Sequence, residues 1–204
     1  MPILPVSTPA MPRRLSRRAA LILALGGLAV GGLSGCAGPG AGLPALPPPA
    51  AGPYRLGPGD QLRIMTYGDD QLTGDFAVGD GGTIALPLLG AVPAAGRTLV
   101  QLETEIAQAL SAAGLYRNPS VIAEVTQYRP IFVLGEVNRP GEYPWQPGMT
   151  AVSAVAVAGG FTYRAVEGYV SVVRVLGGVA VEARARRQDF VKPGDVITVF
   201  ERRF

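Results

Sequence analysis

The chain has 204 residues, 48% hydrophobic and 16% charged, with 28 Gly, 19 Pro, one Cys and no His. A single cysteine excludes an internal disulfide framework and any multi-cysteine metal site. The absence of histidine removes the commonest general base, the commonest zinc ligand and every imidazole-dependent triad.

The formal charge of +3 belongs to a leader: four arginines and no acid precede Cys36, leaving 14 basic against 15 acidic residues from there on. So even a balance has no sustained hold on phosphates, so nucleic acid is not an expected partner. Arg13, Arg14, Arg17 and Arg18 precede an apolar run, residues 19–33, that contains four glycines. The run is shorter than the roughly 20 residues a bilayer core requires, so it reads as a signal peptide over residues 1–35. It ends in Leu33-Ser34-Gly35-Cys36, which resembles a bacterial lipobox and makes Cys36 the acylation site. Ser16-Arg17-Arg18 resembles a twin-arginine signal and fits an ordinary basic leader equally well. Residues 36–53 read as an acylated cysteine followed by a Gly/Pro/Ala spacer with no core of its own. Ala37 after the cysteine resembles lipoproteins sent on to the outer membrane.

Pro58-Gly59-Asp60 and Pro193-Gly194-Asp195 each precede a β-rich apolar stretch, Leu62/Ile64 and Val196/Ile197/Val199. Pro-Gly suits the centre of a type II turn, so both predict a turn followed by a strand, and each Asp is expected to satisfy turn amides. Thr98 and Gln101 have capping-box spacing, Leu99, Leu102, Ile106, Leu110 and Ala113 share one helical face, and Gly114 closes it. Strands are expected over 120–128, 131–134 and 169–176, the last joined through Gly177-Gly178 to Val179-Ala180-Val181 as a hairpin. Residues 150–158 suit a buried helix or a strand; Thr150 as cap and Gly159-Gly160 as stop favour the helix. The fold expected is α+β and strand-dominated, two small domains over 54–128 and 129–204, each with about one helix. Domains that small are marginal alone and should pack on each other or on further copies.

The order of motifs resembles the bacterial polysaccharide export family of outer-membrane lipoproteins. The residues carrying the first half are Tyr54-Arg55-Leu56-Gly57-Pro58-Gly59-Asp60, Asp80-Gly81-Gly82-Thr83-Ile84, Gly96-Arg97-Thr98 and Asn118-Pro119-Ser120-Val121. Those carrying the second are Gly135-Glu136-Val137-Asn138-Arg139-Pro140-Gly141, Ala158-Gly159-Gly160 and Pro193-Gly194-Asp195. The resemblance implies a polysaccharide-export domain followed by a soluble-ligand-binding β-grasp domain. It also implies a ring-forming homo-oligomer, lipid-anchored in the outer membrane with its folded part in the periplasm. Polysaccharide cargo and an inner-membrane co-polymerase would be its partners. Longer members add a C-terminal amphipathic helix that builds the pore; here the sequence runs out at Phe200-Glu201-Arg202-Arg203-Phe204, so a separate outer-membrane β-barrel is the expected crossing.

Tyr143 and Trp145 are the candidate polymer contacts, since aromatic faces suit sugar rings, and the same rings suit a small core. Asp69, Asp70, Asp75 and Asp80 lie close in sequence without the EF-hand spacing, and a solvated hairpin is the expected reading. Arg184, Arg186 and Arg187 would meet an acidic polymer or partner, or blunt an exposed strand edge. No motif singles out a carboxylate pair, Walker A loop or nucleophile elbow, so neither catalysis nor a cofactor or metal is expected. The alternative function is a lipid-anchored glycan-binding or scaffolding module that does not conduct polymer.

Overall fold

Both Pro-Gly-Asp runs close in the same way in the computed structural model, which describes residues 38–48 and 52–202. The Asp60 amide donates to Gly57 O and the Asp195 amide to Lys192 O, both at 3.1 Å. Gly59 and Gly194 sit at φ +92° and +84°, the left-handed values a type II turn demands at its third residue. Each aspartate then folds back on its own turn: Asp60 accepts from the Gly57 amide at 2.8 Å and Asp195 from the Lys192 amide at 2.7 Å.

The first turn launches β1 (Gln61–Thr66), the central strand of an antiparallel sheet ordered β2-β1-β5, with β2 at Asp69–Ala77 and β5 at Val121–Gln127. Alternation puts Leu62 and Ile64 of β1 inward with Ala123 of β5 opposite Ile64, while Arg63 faces out between Asp75 and Glu124. A separate hairpin, β3 (Thr83–Leu86) and β4 (Gly90–Pro93), leads into α1 (Leu99–Ala112). The expected capping box is present: Thr98 Oγ1 accepts from the Gln101 amide and Gln101 Oε1 from the Thr98 amide. Leu102, Ile106 and Leu110 bury one face of α1 against β5, closing a core with Leu62, Ile64, Leu72 and Ile84.

The second half forms a five-stranded sheet ordered β7-β6-β10-β8-β9. Its strands are β6 (Ile131–Gly135), β7 (Gly141–Tyr143), β8 (Tyr169–Leu176), β9 (Val179–Arg186) and β10 (Val196–Val199). β6 and β10 pair in parallel at the centre, and every other pairing is antiparallel. The second element in sequence lies outside the first, and the last lies between first and third, which is the strand order of a β-grasp. Helix α2 (Ala151–Val157) settles the ambiguity at 150–158, with Thr150 capping and Ser153 returning the bond. It buries Ala151, Ala154 and Val155 against Ile131, Val133, Val172 and Ile197 in a second core.

Residues 38–48 depart from the expected spacer. Arg184 on the edge strand β9 donates its amide to Pro44 O at 2.7 Å, and the Leu46 amide donates back to Arg184 O at 2.8 Å. Ala45 thereby forms a parallel bridge to Arg184, and Leu46, 9% exposed, joins the second core. Pro39 O accepts from the Tyr169 hydroxyl at 2.8 Å, and Gly40, at φ +72°, lies so close to the Phe200 ring that a Cβ would collide with it. Composition pointed to a mechanical linker; the chain instead lays this segment along a free sheet edge and buries its one well-placed leucine.

Candidate functional site

The two turns meet at a seam between the cores, and Arg129 fills it. Its amide donates to Asp60 Oδ1 at 3.1 Å and its Nε to Pro193 O at 3.2 Å, so one residue bonds both Pro-Gly-Asp runs. Pro130, its neighbour, accepts from the Gly194 amide at 2.9 Å. A Cβ on Gly57 would overlap the Arg129 guanidinium, and one on Gly194 would come within 3.4 Å of Arg129 Nε. A side chain at position 57 would therefore force the Arg129 guanidinium to move.

Three rings close the seam. Tyr54 stacks near-parallel with Trp145 at 6.3 Å, and Tyr128 meets both edge-on, at 5.0 Å from Tyr54 and 4.9 Å from Trp145. The Tyr54 hydroxyl donates to Asp60 Oδ2 at 2.7 Å and the Trp145 indole N–H to Val191 O at 2.8 Å. Burial, and then the Asp60 carboxylate beside it, push the Tyr54 phenol far above its ordinary range. Asp60 is wholly buried, yet it accepts from Tyr54, Gly57 and Arg129.

Asp195 does parallel work one turn away. Arg174, 5% exposed, donates Nε and Nη2 to its two carboxylate oxygens at 2.9 and 2.6 Å, and Nη2 also reaches Phe190 O at 3.2 Å. Neither aspartate presents a free oxygen to a sugar hydroxyl. The expectation that they satisfy turn amides describes half of what they do, since each also ties down a distant element.

Tyr143 and Trp145 are half-buried against the second core, and their polar atoms are committed to backbone, Tyr143 to Arg139 O at 2.5 Å. The structure does not bring these two polymer candidates together with Arg184, Arg186 and Arg187 as one site. The Arg184 guanidinium lies 5.4 Å from the Tyr169 ring centre and that of Arg187 5.8 Å from Phe161, placing both over aromatic faces. The edge these arginines were expected to blunt is covered at Arg184 by Pro44–Leu46 backbone. Leu33, Ser34, Gly35 and Cys36 lie outside the described residues.

The acidic run is strand β2 and its flank. The Tyr116 hydroxyl donates to Asp69, holding that carboxyl below the usual range, and Arg63 does the same for Asp75 through paired bonds of 2.9 and 3.0 Å. Asp70 and Asp80 stay exposed, and among the described residues no group of three acidic or cysteine side chains is arranged to hold a metal. A shallow open groove runs along α1, lined by Thr104, Ala107, Gln108, Ser111, Asn118 and Pro119, with no charged side chain.

The two halves match separate family models: residues 48–126 match "Polysaccharide biosynthesis/export protein" and residues 130–185 match "SLBB domain". The Arg129 seam falls between the two matches. The two matches, in this order along one chain, support the polysaccharide export family. It is 37% identical over 118 residues to the "Exopolysaccharide production protein ExoF" of Rhizobium meliloti (strain 1021), an alignment covering 52% of this chain and 28% of that one. It is 32% identical over 136 residues to the "EPS I polysaccharide export outer membrane protein EpsA" of Ralstonia solanacearum, covering 54% and 36%. The chain thus spans about a third of the length of the curated relatives it matches.

Proposed function

We propose that this protein is a lipid-anchored, periplasm-facing subunit of an export complex for capsular or exopolysaccharide. Copies of it would form an oligomeric ring at the outer membrane through which polymer is passed without any bond being made or broken. The domains are 54–128 and 129–204, with the acyl chain on Cys36. The observation that carries the reading is the seam: Arg129 bonds both turns while three rings pack across the same gap. A ring closes only if each subunit sets a fixed angle between its contact faces, and two small cores joined by a loose linker could not set one. The names of the relatives, exopolysaccharide production and polysaccharide export outer membrane proteins, point to the same cargo and membrane.

An inner-membrane co-polymerase would hand over the polymer, a separate outer-membrane barrel would complete the crossing, and Tyr143 and Trp145 would offer ring edges to passing sugars. The test is electron microscopy of the acylated protein co-expressed with its genomic neighbours, beside deletion of its gene. Closed rings, and polymer retained inside deleted cells, are expected. A stable monomer in cells that still coat themselves normally after deletion refutes it.

The uncharged groove on α1 favours a second reading, a lipid-anchored glycan-binding or scaffolding module. Amides and hydroxyls without charge suit sugar hydroxyls. Measurable affinity of a monomer for oligosaccharide, abolished by Gln108→Ala, would select this reading over a conduit, which must not hold its cargo tightly.

A further inference from the structure

The docked segment fixes where a lipid anchor must act. If Cys36 is acylated, as the proposed function holds, only two peptide units separate it from Gly38, a reach of about 7 Å. Gly38 belongs to a segment held by Tyr169, Phe200 and Arg184, not to a free spacer. Around it lies one end of the second sheet, where the 162–168 loop is clamped to the last strand. The Val166 amide donates to Phe200 O, Arg202 donates its amide to Arg164 O and its Nε to Ala165 O, and Arg164 pairs with Glu201. Tyr163, in the same loop, is 87% exposed, second only to Tyr67 among the large hydrophobic side chains of the described residues.

We propose that this end, carrying Tyr163, Arg164, Gly168, Tyr169 and Arg202, rests on the lipid headgroups of the membrane that holds Cys36. A tether of two residues gives the surface an effective concentration in the roughly millimolar range or above, so weak contacts are occupied that would never bind free lipid. Tyrosine and arginine are the chemistry for that contact: an amphipathic ring at headgroup depth, and the Arg164 and Arg202 guanidinium groups, which phosphates would share with Glu201 and Glu167. The first domain would then project away from the lipid, because its seam lies beside Pro193, before β10, whereas Phe200 follows the other end of that strand.

The test uses the full acylated chain in vesicles of phosphatidylethanolamine and phosphatidylglycerol. Cys36 is the only cysteine and its thiol is consumed by the lipid, so a new cysteine is the single labelling site. Gly168→Cys has open space around its Cβ, and Gln108→Cys on α1 is the distant control. A nitrobenzoxadiazole label at 168 should be quenched several-fold less by aqueous iodide, and more by doxyl-labelled lipid, than one at 108. Tyr163→Ser should weaken that difference. Gly40→Val, which forces a side chain into Phe200 at a positive φ, should free the segment and lose the difference while the acyl mass is retained. Equal quenching at 168 and 108 with the acyl chain present by mass spectrometry overturns the proposal and leaves the export reading standing. Shielding that survives Gly40→Val overturns the tether argument. A chain without acyl mass overturns the anchor itself, and this inference with it.

Discussion

Replacing Asp195 by Ala is the most informative single perturbation of the fold. Asp195 is 1% exposed and takes both bonds of a bidentate pair from Arg174, which is itself buried. The substitution strands a guanidinium in the interior with only Phe190 O as a partner, and removes the acceptor for the Lys192 amide. Breaking one side of a buried ion pair costs about 3–5 kcal/mol, and the lost turn bond adds about 1 kcal/mol. Against a total stability of about 5–15 kcal/mol that is a large share. Arg174→Met alone should also destabilise, since it leaves the carboxylate buried with only the Lys192 amide. The double variant Asp195→Ala/Arg174→Met removes both charges, so its loss should fall several kcal/mol short of the sum of the singles. Urea denaturation followed by fluorescence reads this directly, because Trp145 is the only tryptophan and sits at the seam between the cores. A loss below about 1 kcal/mol in Asp195→Ala, or additive singles, would show that the pair is solvated and the reasoning wrong.

Gly57→Ala should displace Arg129 and loosen the seam, seen as faster proteolysis between the halves while each core keeps its hydrogen-exchange protection. The Tyr54 phenol has a raised folded pKa, so its contribution is complete below pH 10 and is lost as pH rises through the folded value. Tyr54→Phe should therefore flatten the fall in stability above pH 10, and an unchanged slope would refute it. Tyr116→Phe removes the bond that depresses Asp69, so carbon-detected NMR titration should show that carboxyl rising toward its ordinary range. Thr98→Ala breaks the capping box and should cost about 1 kcal/mol in the same urea assay.

What could be read from the sequence was local. The α1 helix is announced by Thr98, Gln101 and its leucine spacing, and the two turns by Pro-Gly at their centres. At 150–158 alanine and valine spoke for both periods, and the caps decided because they alone differ between helix and strand. At β2 a solvated hairpin was legible but not the strand's bounds, because its edge position lets it carry Asp69, Asp70 and Gly74, and its acids are answered by Tyr116 and Arg63 from other elements. The seam escaped for a related reason: nothing near Arg129 in sequence says that Pro193, sixty-four residues later, will accept its proton. The segment over 38–48 misled by composition. Glycine and proline describe how a chain behaves when nothing holds it, and here an open edge at Arg184 and a leucine-sized gap hold it.

The prolines of that segment have an effect beyond docking. Pro44 faces β9, where its carbonyl bonds Arg184, but Pro47, in alternation with Ala45, carries no amide hydrogen, so an incoming strand would find the ladder broken there on the outer side of the segment. Copies crowded together on a surface therefore lack a template there for endless sheet growth, the route to fibrils, and are steered toward contacts through side chains, which can close on themselves.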